Sequence, residues 1–446
     1  MISPSDAPAR LSDLFSDGGA SIFEESGRVS SWEEALAPLP KAVFRVASED
    51  PAVALLTMCR DMWSRVDLRL ATAMTRGLLK IHIERHGKDH PDALVELGAL
   101  GALAQRAGRV EEGAALLEEA WTGLRSVVGG RDIRLAIVAG NLGLYYAKIG
   151  DLSQAEHLLD QAYRVRKRVA PTSIAKVAAQ LGEIRLRLGK TEEGLDDLRA
   201  AWLCSLDSVG ETHPQTVKYS ITLARGLNRA KLYRESTPLW RDLYRLAVDS
   251  NNPEKIAEIG FYLGMALYRT HHKEEARRRI NESVRWTRAA SEQTVHPKLP
   301  ERLTFLAALE IDQRRIYEAE GLYREVIEAE IRLHGDDSPE VARRYAALGR
   351  LLGQMGRIDE AVGYLESAAS LLLSTIGPRQ ESTRAVVAAA VGVLTQKAEQ
   401  SVAEGDKEGA SQILGHALQL AGPVIGFDHE AVRKAQALAR EHRIHL

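Results

Sequence analysis

With 446 residues, 45% of them hydrophobic, 27% charged and only 5% aromatic, the chain can hold several domains or one long array, and it is apolar enough to bury a core. A formal net charge of -2 excludes the global basic field of a typical nucleic-acid binder, and two cysteines, Cys59 and Cys204, exclude a disulfide framework or a cysteine metal cage. No apolar run is long enough for a membrane span, and the first residues lack the basic-then-apolar order of a secretory signal, so a cytoplasmic, reducing setting without membrane contact is expected.

Residues 1–48 differ from the rest. Pro4, Pro8, Pro38 and Pro40, with Gly18 and Gly19, interrupt any long helix. Ser31 to Ala37 reads as a short helical turn, and Lys41 to Ala47 as weakly extended. The segment is expected to be a partly ordered leader; a sharper reading packs it on the first repeat or lays it in the groove of the array.

Residues 49–426 read as about nine helical hairpins. The clearest copy is Ala139 to Val165. One apolar stripe at helical spacing runs to Ile149, Gly150-Asp151 breaks it, and a second stripe follows at Ala155, Leu158, Leu159, Ala162 and Val165. Equivalent turns fall at Gly108, Gly189, Lys231, His271, Arg314, Gly356 and Gly405, about 40 residues apart except for a wider last interval. That interval predicts a longer helix or loop in the final repeat. A small residue opens each second helix: Gly113, Ala155, Gly194, Ser236, Ala276, Ala319, Ala361, Ala410. Another marks the middle of each first helix: Gly101, Gly143, Gly182, Ala224, Gly264, Ala307, Gly349, Ala398. Such pairs let two helices approach closely while larger neighbours interlock.

Connections between hairpins carry Gly87…His90-Pro91, Gly210…His213-Pro214, His296-Pro297 and Gly335…Ser338-Pro339. Proline suits the first helical position, where its missing N–H would have no partner. Asp, Thr and Ser upstream, with Asp132, Thr172 and Asn252 elsewhere, are the expected caps. Residues 427–446 read as a C-terminal capping helix, Asp428 to His442, with Asp428 as its cap.

The set Leu142, Gly143, Tyr146, Gly150, Ala155, Leu159 and Ala162 resembles the tetratricopeptide repeat, and the likeness covers roughly Pro51 to Ala421. The period near 42 residues and the Gly…His-Pro connector resemble the kinesin-light-chain variety. The resemblance implies an all-α fold, an α-solenoid in which hairpins stack into a right-handed superhelix. It also implies that first helices line a concave groove that binds peptides or proteins.

Five residues after the mid-helix small residue stand Arg106, Lys148, Arg187, Arg229 and Arg269, a basic ladder. Lys176, Lys218 and Arg225 fall on nearby inward positions, as do Arg343 and Arg350. They suit an acidic peptide or a terminal carboxylate, or simply a solvated face. Asn141 matches an asparagine with which chaperone-tail-binding repeats hold the peptide carboxylate, and Lys176 matches a lysine of the same clamp. Gly98, Ala102 and Gln180 replace its other members, so that ligand is not carried over. Phe261, Tyr262, Met265 and Tyr268, with Trp240 and Tyr244, form an aromatic cluster that reads as core between repeats, or as a pocket for a partner side chain.

His82, His86 and His90 stand at four-residue spacing without the glutamate of a zinc protease motif. Arg277, Arg278 and Arg279, with Arg285 and Arg288, make a basic patch that Glu274, Glu275 and Glu282 can neutralise. The run Tyr163 to Arg168 reads likewise as a solvated face. No phosphate loop or nucleophile elbow is present, and no cofactor, metal or catalysis is expected. The sequence therefore reads as a non-catalytic scaffold or adaptor holding a protein or peptide partner, an acidic one if the ladder binds it. The alternative is a sensor or inhibitor subunit of a larger signalling complex. Nucleic acid is not the expected partner, and oligomeric state is left open.

Overall fold

The computed structural model describes residues 6–15, 23, 31–38, 50–290 and 294–445. The extended stretch expected at Lys41 to Ala47 lies outside them. Among the described residues there are 21 α-helices and no strand, an all-α solenoid of consecutively paired helices. The chain divides into two compact units, Met1–Lys231 and Leu232–Leu446.

Unit 1 begins with two short helices, α1 (Ala7–Ser12) and α2 (Trp32–Leu36). Four hairpins follow: α3 (Pro51–Trp63) with α4 (Leu68–His86), α5 (Pro91–Arg106) with α6 (Val110–Val127), α7 (Ile133–Ile149) with α8 (Leu152–Val169), and α9 (Ala175–Arg187) with α10 (Thr191–Val209). Helix α11 (Pro214–Arg229) closes the unit. Unit 2 opens with α12 (Tyr233–Asp249). Its hairpins are α13 (Pro253–Arg269) with α14 (Lys273–Ala289), α15 (Leu299–Asp312) with α16 (Ile316–His334), α17 (Pro339–Gln354) with α18 (Ile358–Thr375), and α19 (Glu381–Ala403) with α20 (Lys407–Ala421). Helix α21 (Glu430–Glu441) ends it. At 23 residues α19 is the longest helix, which accounts for the wide last interval.

All eight turns read from the sequence place their residue in the left-handed region. Five are glycines, and Lys231 (φ 62°), His271 (φ 66°) and Arg314 (φ 61°) adopt it without that freedom. The small-residue pairs are close helix crossings. A methyl group on Gly101 would stand 2.7 Å from the carbonyl oxygen of Gly113, and one on Gly182 2.7 Å from that of Gly194. Around each crossing, leucines such as Leu117, Leu159 and Leu198 are fully or almost fully buried.

Capping departs from expectation in one respect. Asp132, Asn252 and Ser338 cap as expected, but the connector histidines also act as caps. The Nδ1 atoms of His90, His213 and His429 accept from the backbone N–H two residues on, at 3.3, 3.2 and 3.2 Å. The cap of α21 is thus His429, not Asp428. His296 makes the same bond to Lys298 N, at 3.1 Å, just ahead of α15. Thr172 sits in a 3-10 turn, and α9 has no side-chain cap.

The described part of the leader seats on the first hairpin. Ala7, Leu11, Phe23, Trp32, Ala35 and Leu36 are buried with Leu55, Leu56, Cys59, Trp63 and Met74. The indole N–H of Trp63 donates to the Ala35 carbonyl at 2.8 Å. Burial pushes the Cys59 thiol up to about 12, so it is an inert packing group. These contacts cover apolar faces that the first hairpin would otherwise leave open.

Candidate functional site

First helices of successive hairpins in unit 1 touch one another directly, α5 with α7, α7 with α9 and α9 with α11. They form the inner side of the stack. Lys176 stands in the first turn of α9 and Lys218 in the second turn of α11, both exposed. A cation near a helix N-terminus opposes the helix dipole, so neither lysine helps its own helix. Protein crowds Lys176 although its surface reaches water. Loss of hydration lowers its ammonium pKa most, and the charges of Arg166, Lys218, Arg106 and Arg65 lower it further. Arg166, half-buried at the end of α8, has its own pKa lowered by burial, and its guanidinium donates to Ser173 Oγ at 3.3 Å. None of these five cations has a carboxylate within ion-pair distance among the described residues.

The predicted residues thus separate into groups. Arg106, Lys176 and Lys218 come together, joined by Arg65 and Arg166, which a count along first helices misses. Arg65 lies in the turn after α3 and Arg166 on a second helix. The signal for Arg166 was the run Tyr163 to Arg168, read above as solvated face. Arg106 also donates to the Ser64 carbonyl at the end of α3, so it caps that helix as well. Lys148, Arg187 and Arg229 stand exposed in the last turns of α7, α9 and α11. There a cation favours the helix dipole, which accounts for the ladder position structurally. Arg225 is exposed on α11. Arg269 belongs to unit 2, stacked 5.9 Å from the ring centroid of Tyr268. Asn141 is half-buried on α7 and its side chain makes no hydrogen bond among the described residues.

The other end of α9 is the reverse of its start. Arg185 is held by Glu156 (3.2 Å), Asp160 (2.8 Å), Asp197 (2.8 Å) and Glu193 (3.5 Å), and Lys190 adds a bond to Glu156 at 2.8 Å. Burial pushes the Asp197 carboxyl up to about 6 even though Arg185 pulls it down.

In unit 2 the aromatic cluster is core. Trp240 is fully buried and stacks on Tyr262 at 5.0 Å, while Phe261 meets Phe305 edge-on at 5.7 Å. The arginine patch on α14 is neutralised mainly across repeats: Arg277 pairs with Glu310 at 2.7 Å and Arg288 with Glu325 at 2.5 Å. Glu275 turns to Arg241 instead, and only Glu282 pairs within the helix, with Arg279. His86 and His90 stack at 4.6 Å, and no group of three or more metal-ligating side chains occurs among the described residues. Nor is any described helix long and apolar enough to cross a membrane.

A tetratricopeptide-repeat family model matches residues 92–168 and 302–374, α5 to α8 in unit 1 and α15 to α18 in unit 2. Both units therefore contain tetratricopeptide repeats. The apo form of RapI is similar in fold, with a TM-score of 0.51 and 14% identity over 87% of this chain and 98% of that one. A tetratricopeptide repeat protein from Parabacteroides merdae gives 0.41 and 18% over 68% and 98%. Nearly identical repeats of a kinesin light chain type from Podosopora anserina give 0.41 and 17% over 46% and 99%. No curated protein matches the chain.

Proposed function

We propose that this repeat protein is a non-catalytic scaffold whose unit 1 inner face binds an acidic segment of a partner protein. The observation that carries the reading is the uncompensated cluster of Arg65, Arg106, Arg166, Lys176 and Lys218. Each charge raises the free energy of its neighbours; at Lys176 this repulsion adds to the larger effect of lost hydration in lowering the ammonium pKa. An acidic ligand relieves that cost, whereas a neutral one leaves it in place. Asn141, with its amide unpaired, is suited to hold a backbone group of an extended peptide. The leader, whose described residues pack on α3 and α4, acts in this reading as an end cap.

The test is fluorescence anisotropy of a labelled oligo-glutamate peptide with the full chain. Saturable binding is expected, weakening as salt rises. Lys176→Glu with Lys218→Glu should lower affinity at least about tenfold, the effect of losing roughly 1.4 kcal/mol. Reversing Lys148, Lys176 and Arg187 together should also weaken it, without unfolding the array. Unchanged affinity in the Lys176/Lys218 double variant would place the acidic partner elsewhere.

A further inference from the structure

A second basic concavity lies outside the inner face, between the second helices α6 and α8. It is a cleft of about 660 Å³. Trp121 and Arg125 line it from α6, Gly130 and Arg131 from the connector, and His157, Asp160, Gln161, Arg164 and Arg168 from α8. Four guanidinium groups therefore converge from three segments. Its one carboxylate, Asp160, is already shared between Arg164 at 2.7 Å and Arg185 at 2.8 Å. Arg131 and Arg168 have no carboxylate partner among the described residues, and Arg125 lies over the Trp121 ring at 4.5 Å.

Helix stability explains part of this. Arg125 and Arg168 are in the last turns of α6 and α8, where cations are favoured. It does not explain Arg131, which is on a connector. The volume falls within the range of small-molecule sites. Guanidinium groups match phosphate oxygens in pairs, and a phosphate offers three acceptor oxygens on which several of them can converge.

We propose that this cleft binds a phosphate-bearing small molecule of nucleotide size, with Arg131, Arg164 and Arg168 on the phosphates and the Trp121–Arg125 stack forming one wall. The site is independent of the acidic-segment reading, since it uses none of the residues of the inner face.

Isothermal titration of the full chain with ATP, pyrophosphate and adenosine tests it. ATP should bind saturably with one site per chain, and adenosine should not. Pyrophosphate binding as tightly as ATP would assign the recognition to phosphate alone, and weaker pyrophosphate binding would add the organic moiety; both support the site. Arg131→Glu with Arg168→Glu should lower ATP affinity at least about tenfold. Gly130→Asp should do the same by filling the mouth. A Cβ at Gly130 meets nothing within 4 Å, and its φ lies outside the left-handed region, so the fold tolerates it. Lys176→Glu should leave ATP affinity unchanged. The proposal is overturned if ATP does not bind, if adenosine binds equally well, or if binding survives both cleft variants.

Discussion

The two ends of α9 carry cations in opposite circumstances. At the start, Lys176 faces four other cations and, among the described residues, no carboxylate. Nine residues on, Arg185 faces four carboxylates. Both lie on one helix, in one repeat, and both are basic residues in an alanine- and leucine-rich stretch. The difference teaches that a crowded charge serves the fold when its counter-charges come from the chain itself; where the chain supplies none, as at Lys176, the proposed acidic partner would have to bring them.

Removing Arg185 should have the largest effect on stability. Arg185→Ala leaves Asp197 without its cation in a poorly hydrated place, while Asp160 keeps Arg164, at a cost of about 3 kcal/mol in urea denaturation. Lys176→Ala in the same assay should cost almost nothing. Equal losses would break the contrast.

Asp197 sharpens it through pH. Its folded pKa of about 6 lies above its ordinary value of 3.8, so the folded state binds the extra proton between those values. Asp197 therefore adds stability as pH falls through 6 and none well above it. Asp197→Asn, which mimics the protonated form, should be at least as stable as the parent at pH 8, by up to about 2 kcal/mol. The parent should regain ground by pH 5. Glu156, whose pKa is lowered by Lys190 and Arg185 against the opposing effect of burial, acts in the other direction: its stability is present above its ordinary 4.5 and is lost as pH falls through its lower folded value. A parent and variant with parallel pH profiles would show that Asp197 does not titrate near 6.

The smallest expected effect is at Lys176 itself. Lys176→Gln should change stability by no more than about 0.5 kcal/mol, in the stabilising direction, because it relieves like-charge repulsion. A clear loss of stability would mean that the ammonium has a structural partner.

Much of the fold was legible because it is local. A turn that needs a left-handed residue leaves Gly150 or Gly356 in the sequence, and a close helix crossing leaves Gly101 opposite Gly113. Repetition at about 42 residues turns each faint signal into a firm one. The histidine caps were harder to see, since His90 and His213 stand beside aspartate, threonine and proline, which have stronger reputations as helix starters. The imidazole acceptor becomes visible only when the 3.3 Å and 3.2 Å bonds are present.

The candidate site was legible only in part. Counting along first helices finds Arg106, Lys176 and Lys218, because inward positions recur with the repeat. It cannot tell them from Lys148 and Arg187, which occupy helix ends where a cation already has a reason to be. Arg65 and Arg166 belong to a turn and a second helix, and nothing in one repeat's periodicity points to them.

The sequence by itself determined the repeat, its period, the turns and the helix crossings, because each depends on residues within one or two neighbouring helices. Only the tertiary structure decided which charges meet. Whether a cation is neutralised depends on groups far along the chain that stacking brings together: Arg65 with Lys176 in one case, Glu156 and Asp197 with Arg185 in the other. Charge acts through space over several ångströms, and no pattern along the chain encodes that distance.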